Sequence, residues 1–382
     1  MIKGGKSSAL GIIFPNIYDK LVPELTTERL MASVQFGGRY RMIDFILSSM
    51  TNSGINNIAI LVRENYFSLL DHLGSGREWD LARKNGGLNI FPPFAQRTMG
   101  MYAGRIEALA SIVAFLKNQT EKYVVLSDTH LAINFDFKKL IKAHEASGAD
   151  VTMVYNEDEI PQKAKEANDA SRGRYYSLNV DESGKITKIN INPKDDGVVN
   201  LSCNIYVMAR DFLIEKITEA SLAGGVSFER DIFIPQINTL NIQGYKYDGY
   251  VGRIFGMKSY FDENMKLLDD SNLDALFSGN PIYTKIRDDN PTRYKGDAKA
   301  ENVLVADGCI IEGTIENSIL FRGVKVEKGA VVKNCILMQD TVVKAGADVE
   351  YVITDKKVTV TEDKSLKGTD SFPVFVAKRQ TV

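Results

Sequence analysis

Glu121 to Asp136 reads EKYVVLSDTHLAINFD, and the fold turns on how its middle is read. The apolar run Tyr123-Val124-Val125-Leu126 stops at Ser127-Asp128-Thr129-His130. A short, continuous β-rich run with polar flanks is the pattern of a strand buried on both faces, as in a parallel sheet. Open α/β sheets hold ligands just beyond the carboxyl ends of such strands. Asp128, Thr129 and His130 therefore stand where a ligand site is expected. His130 reads first as a structural hydrogen-bond former, because no matched acid–base partner is visible in sequence.

The chain has 382 residues, 44% of them hydrophobic, which suffices for a large core and more than one domain. Lys+Arg 47 against Asp+Glu 49 leaves a net charge of -2, so no bulk attraction to nucleic acid or to an acidic membrane is expected. Cys203, Cys309 and Cys335 are scattered and odd in number, which suits a reducing compartment and no metal knuckle. No apolar run approaches 18 residues, and the opening MIKGGKSSALGIIF is a poor signal peptide. A soluble cytoplasmic protein is the expectation.

Ala9 to Pro15 reads as the first strand. Nucleotide-binding α/β folds commonly follow that strand with a glycine-rich loop, which lets backbone N–H groups approach phosphates. Here Pro15 to Leu21 follows, and no glycine stands between Gly11 and Gly37. Gly4-Gly5-Lys6 precedes the strand and is expected to be a disordered start. Arg29, Arg39 and Arg41 gather around Gly37-Gly38, either as a solvated basic turn or as an anion site. A helix is expected from Asp44 to Ser53, a strand from Ile55 to Leu61 and a helix from Phe67 to Leu73. His72 and His144 read as surface helix residues, and Trp79 and Cys203 as packing residues.

Gly86 to Gly104 reads as irregular and so as a candidate functional loop. Ile106, Leu109, Ile112 and Leu116 keep helical spacing, which sets Gly104 and Arg105 at a helix start able to receive a phosphate. Glu107 in the first turn suits the helix dipole. Further on come a helix from Phe137 to Ser147, a strand from Asp150 to Tyr155, a hairpin from Gly173 to Asn192 around Glu182-Ser183-Gly184, and a strand from Leu201 to Met208. Composition changes near Asp288, with Pro291, Lys295 and Gly296 as a linker. Beyond it Val324, Ala330, Ile336 and Val342 recur every six residues, as do Leu320, Val326, Val332 and Met338. That period is the signature of a parallel β-helix, whose end coils need caps or partners. The expected domains are residues 1–257, a helix and linker at 258–298, and the β-helix at 299–382.

QFGGRYRMIDF with Leu47-Ser48 and Asn52-Ser53-Gly54-Ile55, then Ala95-Gln96-Arg97, Tyr102-Ala103-Gly104, Tyr123-Val124-Val125, Ser202 with Ile205-Tyr206-Val207, and the hexapeptide tail carry a resemblance over essentially the whole chain. The chain resembles bacterial glucose-1-phosphate adenylyltransferase (ADP-glucose pyrophosphorylase), which makes ADP-glucose for glycogen. The resemblance implies an α/β, Rossmann-like (GT-A-like) nucleotidyltransferase domain followed by a left-handed parallel β-helix. It also marks departures. The family's glycine-rich signature is here Pro15 to Leu21, and its following lysine is Met31. Its first metal-binding aspartate is Thr129, with Asp128 one residue earlier; its second is Arg253; its sugar-phosphate lysine is Asn192. Two carboxylates holding Mg²⁺ neutralise and align the transferred nucleotidyl group. A threonine is a weak neutral ligand, and an arginine repels a cation.

The resemblance therefore implies a regulatory, catalytically deficient subunit with no metal of its own. Mg²⁺ would be required by a catalytic glucose-1-phosphate adenylyltransferase partner in a hetero-oligomer, with homo-oligomers as a further option. Gln96, Tyr102, Gly104, Arg105, Asp128 and Ser202 are the nucleotide or sugar candidates. Arg29, Arg39 and Arg41 are the candidates for a sugar-phosphate or nucleotide effector, with Glu28 where the family has a lysine. Two alternatives stay open: an active adenylyltransferase using Asp128 as a shifted metal ligand, and a stand-alone sugar-phosphate or nucleotide sensor.

Overall fold

A computed structural model describes residues 8–93, 104–160, 175–194 and 196–382. The described chain forms two compact units. One runs up to Tyr18 and resumes over Phe45–Val251; the other joins Asp19–Asp44 to Gly252–Val382. Asp19–Asp44, which lies inside the first domain as read from sequence, thus packs with the C-terminal unit.

The first unit is built on a nine-stranded mixed sheet. Its central path runs Ile186–Ile191, Tyr176–Val180, Val198–Ala209, Tyr123–Asp128, Ala9–Phe14, Asn57–Leu61 and Gly87–Phe91. Ala9–Phe14 pairs in parallel with both Asn57–Leu61 and Tyr123–Asp128, and every residue of all three strands is buried. Continuous apolar runs are what such two-faced burial demands, each large aliphatic side chain contributing about 1.5–3 kcal/mol. Gly87–Phe91 is a fourth parallel strand in a stretch that reads as irregular; it pairs with Asn57–Leu61. Its alternating, half-buried residues hide it beside two flanking prolines. Val198–Ala209 runs antiparallel to Tyr123–Asp128 on one side and to Val151–Glu159 on the other, and its register with Val151–Glu159 slips between Ser202 and Tyr206.

Helices and loops are pinned by short polar side chains. Asp136 accepts the N–H groups of Lys138 and Lys139 and starts the helix Phe137–Ser147. Ser49 and Ser53, on the helix Met42–Asn52 and just after it, accept the N–H groups of Phe135 and Phe137 at 3.0 and 2.9 Å. The Trp79 indole is buried and donates to Ser48 at 3.2 Å. The helix expected to start at Arg105 breaks in two, Arg105–Ala110 and Val113–Lys117. His72 and His144 correct the surface reading: both are buried, and His144 Nδ1 lies 2.8 Å from the Thr152 hydroxyl. His144 faces the strand that carries Thr152, whose hydroxyl makes its burial tolerable, and the His72 ring meets Trp79 edge-on with centroids 5.7 Å apart.

In the second unit the repeat folds as a left-handed parallel β-helix. Thr314, Val331, Asp348 and Ser365 stack in register, as do Ile319, Ile336 and Ile353, so these coils take 17 residues rather than 18, while the coil from Lys299 to Thr314 takes 15. The buried column Leu320, Val326, Val332, Leu337, Val343, Val349 steps six, six and five. A strict period of six therefore runs out of register at Met338 and Val342: Leu337 stacks on Leu320, and Val342 stacks on Lys325 rather than in the Val324 column. The short side turns through left-handed Asn317, Asn334 and Tyr351, a conformation asparagine tolerates best among residues with a Cβ. Outward pairs such as Lys333–Glu316 and Lys344–Glu327, each 2.8 Å, bridge neighbouring coils and contribute about 0–1 kcal/mol apiece.

Coil packing leaves no room at Gly313, where a Cβ would lie 2.4 Å from the Ala330 carbonyl oxygen. Gly313→Ala should lower stability by about 1–3 kcal/mol. The check is a fall in urea midpoint at constant m-value, and an unchanged midpoint would refute this account of the coil spacing.

Candidate functional site

Register sets Phe14 beside Asp128 at the carboxyl ends of two central parallel strands. Asp128 is buried, and its Oδ2 is engaged twice: the Arg105 guanidinium pairs with it through Nη2, and Asn204 donates to it at 3.1 Å. Arg105 Nη1 reaches Glu229 Oε1 at 3.0 Å. Glu229 is fully buried, takes the Tyr206 hydroxyl at 2.5 Å on the same oxygen and the Ser227 hydroxyl at 2.8 Å on the other. Tyr206 also donates to Asn204 Oδ1 at 3.2 Å, and Asn204 donates to the Tyr18 hydroxyl. Tyr18 stacks on His130 with ring centroids 4.0 Å apart. Two acids, one guanidinium, an amide and two phenols thus form one closed network.

Electrostatics follows from burial. Desolvation pushes the Asp128 carboxyl up to about 6, against the pull of Arg105. Burial alone would pull Arg105 down, but Asp128 and Glu229 more than offset it and hold it firmly charged. The Tyr18, Tyr176 and Tyr206 phenols are pushed well up by burial, so they act as neutral hydrogen-bonding groups.

Local sequence explains the placement. Asn204 sits in the left-handed region at φ 52° within the register slip of Val198–Ala209, and a bulge there re-aims its side chain. Ser202 supports the bulge by accepting the Asn204 N–H at 3.1 Å. Glu229 opens a π-helical turn, Glu229–Phe233. Gly104 is required by packing: a Cβ there would lie 2.4 Å from the Val226 carbonyl oxygen. Asp231 fixes that neighbouring backbone by accepting the Val226 and Ser227 N–H groups at 2.7 and 2.9 Å.

Several expected site residues are thereby placed. Arg105 and Asp128 come together, but in each other's charge rather than at an open phosphate cradle, and the helix behind Gly104 has only six residues. Thr129 is buried and donates to the Pro15 carbonyl at 3.3 Å. Asn192 exchanges bonds with Tyr175, donating its N–H to the carbonyl at 3.0 Å. Gln96 and Tyr102 lie outside the described residues, as do Gly4, Gly5 and Lys6. Among the described residues no group of three His, Cys, Asp or Glu is placed to hold a metal ion. Sequence reasoning missed Glu229, Asn204, Tyr18 and Tyr206; Asn204 inside an otherwise apolar strand was the one visible signal.

The second unit holds the basic candidates. Met31 is buried and donates its N–H to Asp19 at 2.7 Å. Arg253 is buried with its guanidinium 5.7 Å from the Phe255 ring centre. Arg29 is buried and paired with Asp355 at 2.5 Å. Lys356, next in the chain, is pulled down to about 7, first by burial and then by Arg41 and Arg29. Arg39 is exposed and stands with Arg322 instead. Arg29, Arg41 and Lys356 thus share a cationic cluster that Arg39 does not join.

The fold pairs a nucleotidyltransferase-type α/β unit with a hexapeptide-repeat β-helix, and family models agree. A nucleotidyl transferase model matches residues 19–176, and a GlmU-like C-terminal hexapeptide model matches residues 286–371. The glycogen biosynthesis protein GlgD of Bacillus subtilis (strain 168) is 32% identical over 371 residues, covering 97% of this chain and 95% of the relative. GlgD of Geobacillus stearothermophilus is 35% identical over 329 residues, covering 85% and 82%. Glucose-1-phosphate adenylyltransferase of Clostridium perfringens (strain SM101 / Type A) is 31% identical over 355 residues, covering 89% and 84%. The chain belongs to the family of GlgD and glucose-1-phosphate adenylyltransferase.

Lys356 sets a pH dependence. Its folded value near 7 lies below its ordinary 10.5, so between these the unfolded chain binds the extra proton and stability rises with pH. Melting temperature should climb from pH 7 towards pH 9, the climb shrinking in Lys356→Met. Equal slopes in the two proteins would exclude Lys356 as its source.

Proposed function

We propose that this chain is a regulatory, catalytically deficient subunit of glucose-1-phosphate adenylyltransferase, supporting ADP-glucose synthesis from ATP and glucose 1-phosphate for glycogen. One observation carries the reading: the acid at the strand end, Asp128, is already answered by Arg105 and Asn204. A nucleotidyl transfer between two anions needs carboxylates free to hold Mg²⁺. Thr129 and Arg253 at the family's metal positions point the same way. In this reading Mg²⁺ belongs to the catalytic partner, with which this chain forms a cytoplasmic hetero-oligomer. The described chain contains no helix long and apolar enough to cross a membrane.

The Arg29, Arg41 and Lys356 cluster supports an effector role, because a half-buried lysine among arginines gains from an anion. A sugar phosphate or nucleotide phosphate would supply it. The alternative of an active enzyme using Asp128 as metal ligand must first dislodge a buried guanidinium, and breaking such a pair costs about 3–5 kcal/mol.

ADP-glucose synthesis should be measured for this chain, for the catalytic chain, and for the two co-purified, each with and without fructose bisphosphate. The expected outcome is no measurable turnover by this chain and a rate or substrate affinity in the mixture changed by about 5–150-fold. Turnover by this chain alone, lost in Asp128→Ala, would overturn the proposal, as would the absence of any complex on co-expression.

A further inference from the structure

Magnesium takes about six oxygen ligands in near-ideal octahedral geometry. The strand end of the first unit does not fit that demand. Asp128 Oδ2 takes Arg105 and Asn204; Glu229 Oε1 takes Arg105 and Tyr206; Glu229 Oε2 takes Ser227. Of the carboxylate oxygens only Asp128 Oδ1 lacks a hydrogen-bond partner, and one oxygen does not make a site. The groups do fit a different cation. Both guanidinium ends are used, one acid on each, and the ring of Phe14 lies 5.8 Å from the guanidinium carbon.

We propose that Arg105 is the resident cation of this strand end: its guanidinium neutralises Asp128 and Glu229 where a divalent ion would otherwise be needed, so the site stays closed without metal. The inference rests on reading the chain as catalytically silent and says what holds the silent site shut. It has a chemical consequence. Removing the guanidinium leaves two buried carboxylates facing each other across its place, beside the Asn204 amide and the Tyr206 phenol. Two such acids either share a proton or capture a hard cation. Arg105→Ser should therefore turn the cluster into a divalent-cation site.

Mn²⁺ is the probe, read by thermal melting and by electron paramagnetic resonance against EDTA-treated protein. Wild type should melt at the same temperature with and without Mn²⁺. Arg105→Ser should melt lower in EDTA and recover roughly 3–6 °C at ten times its Mn²⁺ Kd. Arg105→Lys, which keeps a cation, should be as indifferent to Mn²⁺ as wild type. Arg105→Ser combined with Glu229→Gln, left with one acid, should lose the response. The inference is overturned if Arg105→Ser ignores Mn²⁺, or is equally unfolded in its presence and absence. It is also overturned if wild type binds Mn²⁺ and loses it in Asp128→Asn. Each of these leaves the regulatory reading standing, because that reading fails only on ADP-glucose turnover by the lone chain or on the absence of a complex.

Discussion

A guanidinium moved out of water costs several kcal/mol unless charge answers it at close range. In the first unit Arg105 is answered twice, by Asp128 and by Glu229. The rest of the strand end is arranged around that requirement. Glu229 must stand on a turn whose backbone Asp231 fixes. Gly104 must lack a side chain so that the same backbone can come close. Asn204 must leave the regular strand path to reach Asp128 and Tyr18. Remove the buried cation and each of these features loses its reason.

The same network occupies the carboxyl end of the central strands. The strands, their order and the ligand-facing end of the sheet are those of a nucleotidyltransferase. Most of the polar groups at that end satisfy one another, Asp128 Oδ1 and Arg105 Nε being the exceptions. A site whose donors and acceptors are internally matched has little free energy left to give a ligand, since binding must first break buried bonds.

The β-helix shows a second constraint. In the coils of seventeen residues, one five-residue side keeps the apolar column inside only if that short side turns tightly. Asparagine and glycine in left-handed conformations recur at the corners for that reason. Ion pairs between adjacent coils decorate the outside without deciding the fold, because exposed pairs are weak.

The sequence by itself determined the two-part architecture, the parallel strands and the repeat. Those depend on short-range patterns, the continuous apolar run at Tyr123–Leu126 and the near-six-residue step after Asp288, which any register must bury. The reading of Thr129 and Met31 against the family's positions rests on sequence alone, since it depends only on what residue stands there. Tertiary structure alone decided that Arg105 meets Asp128 and Glu229, 23 and 124 positions away in the chain. It also decided that Gly87–Phe91 is a strand, that His72 and His144 are buried, and that the coils stacked from Thr314 to Ser365 drop one residue in eighteen. Local periodicity cannot report these, because a charge shows its partner only once distant segments are packed together, and a one-residue slip shows only when neighbouring coils stack.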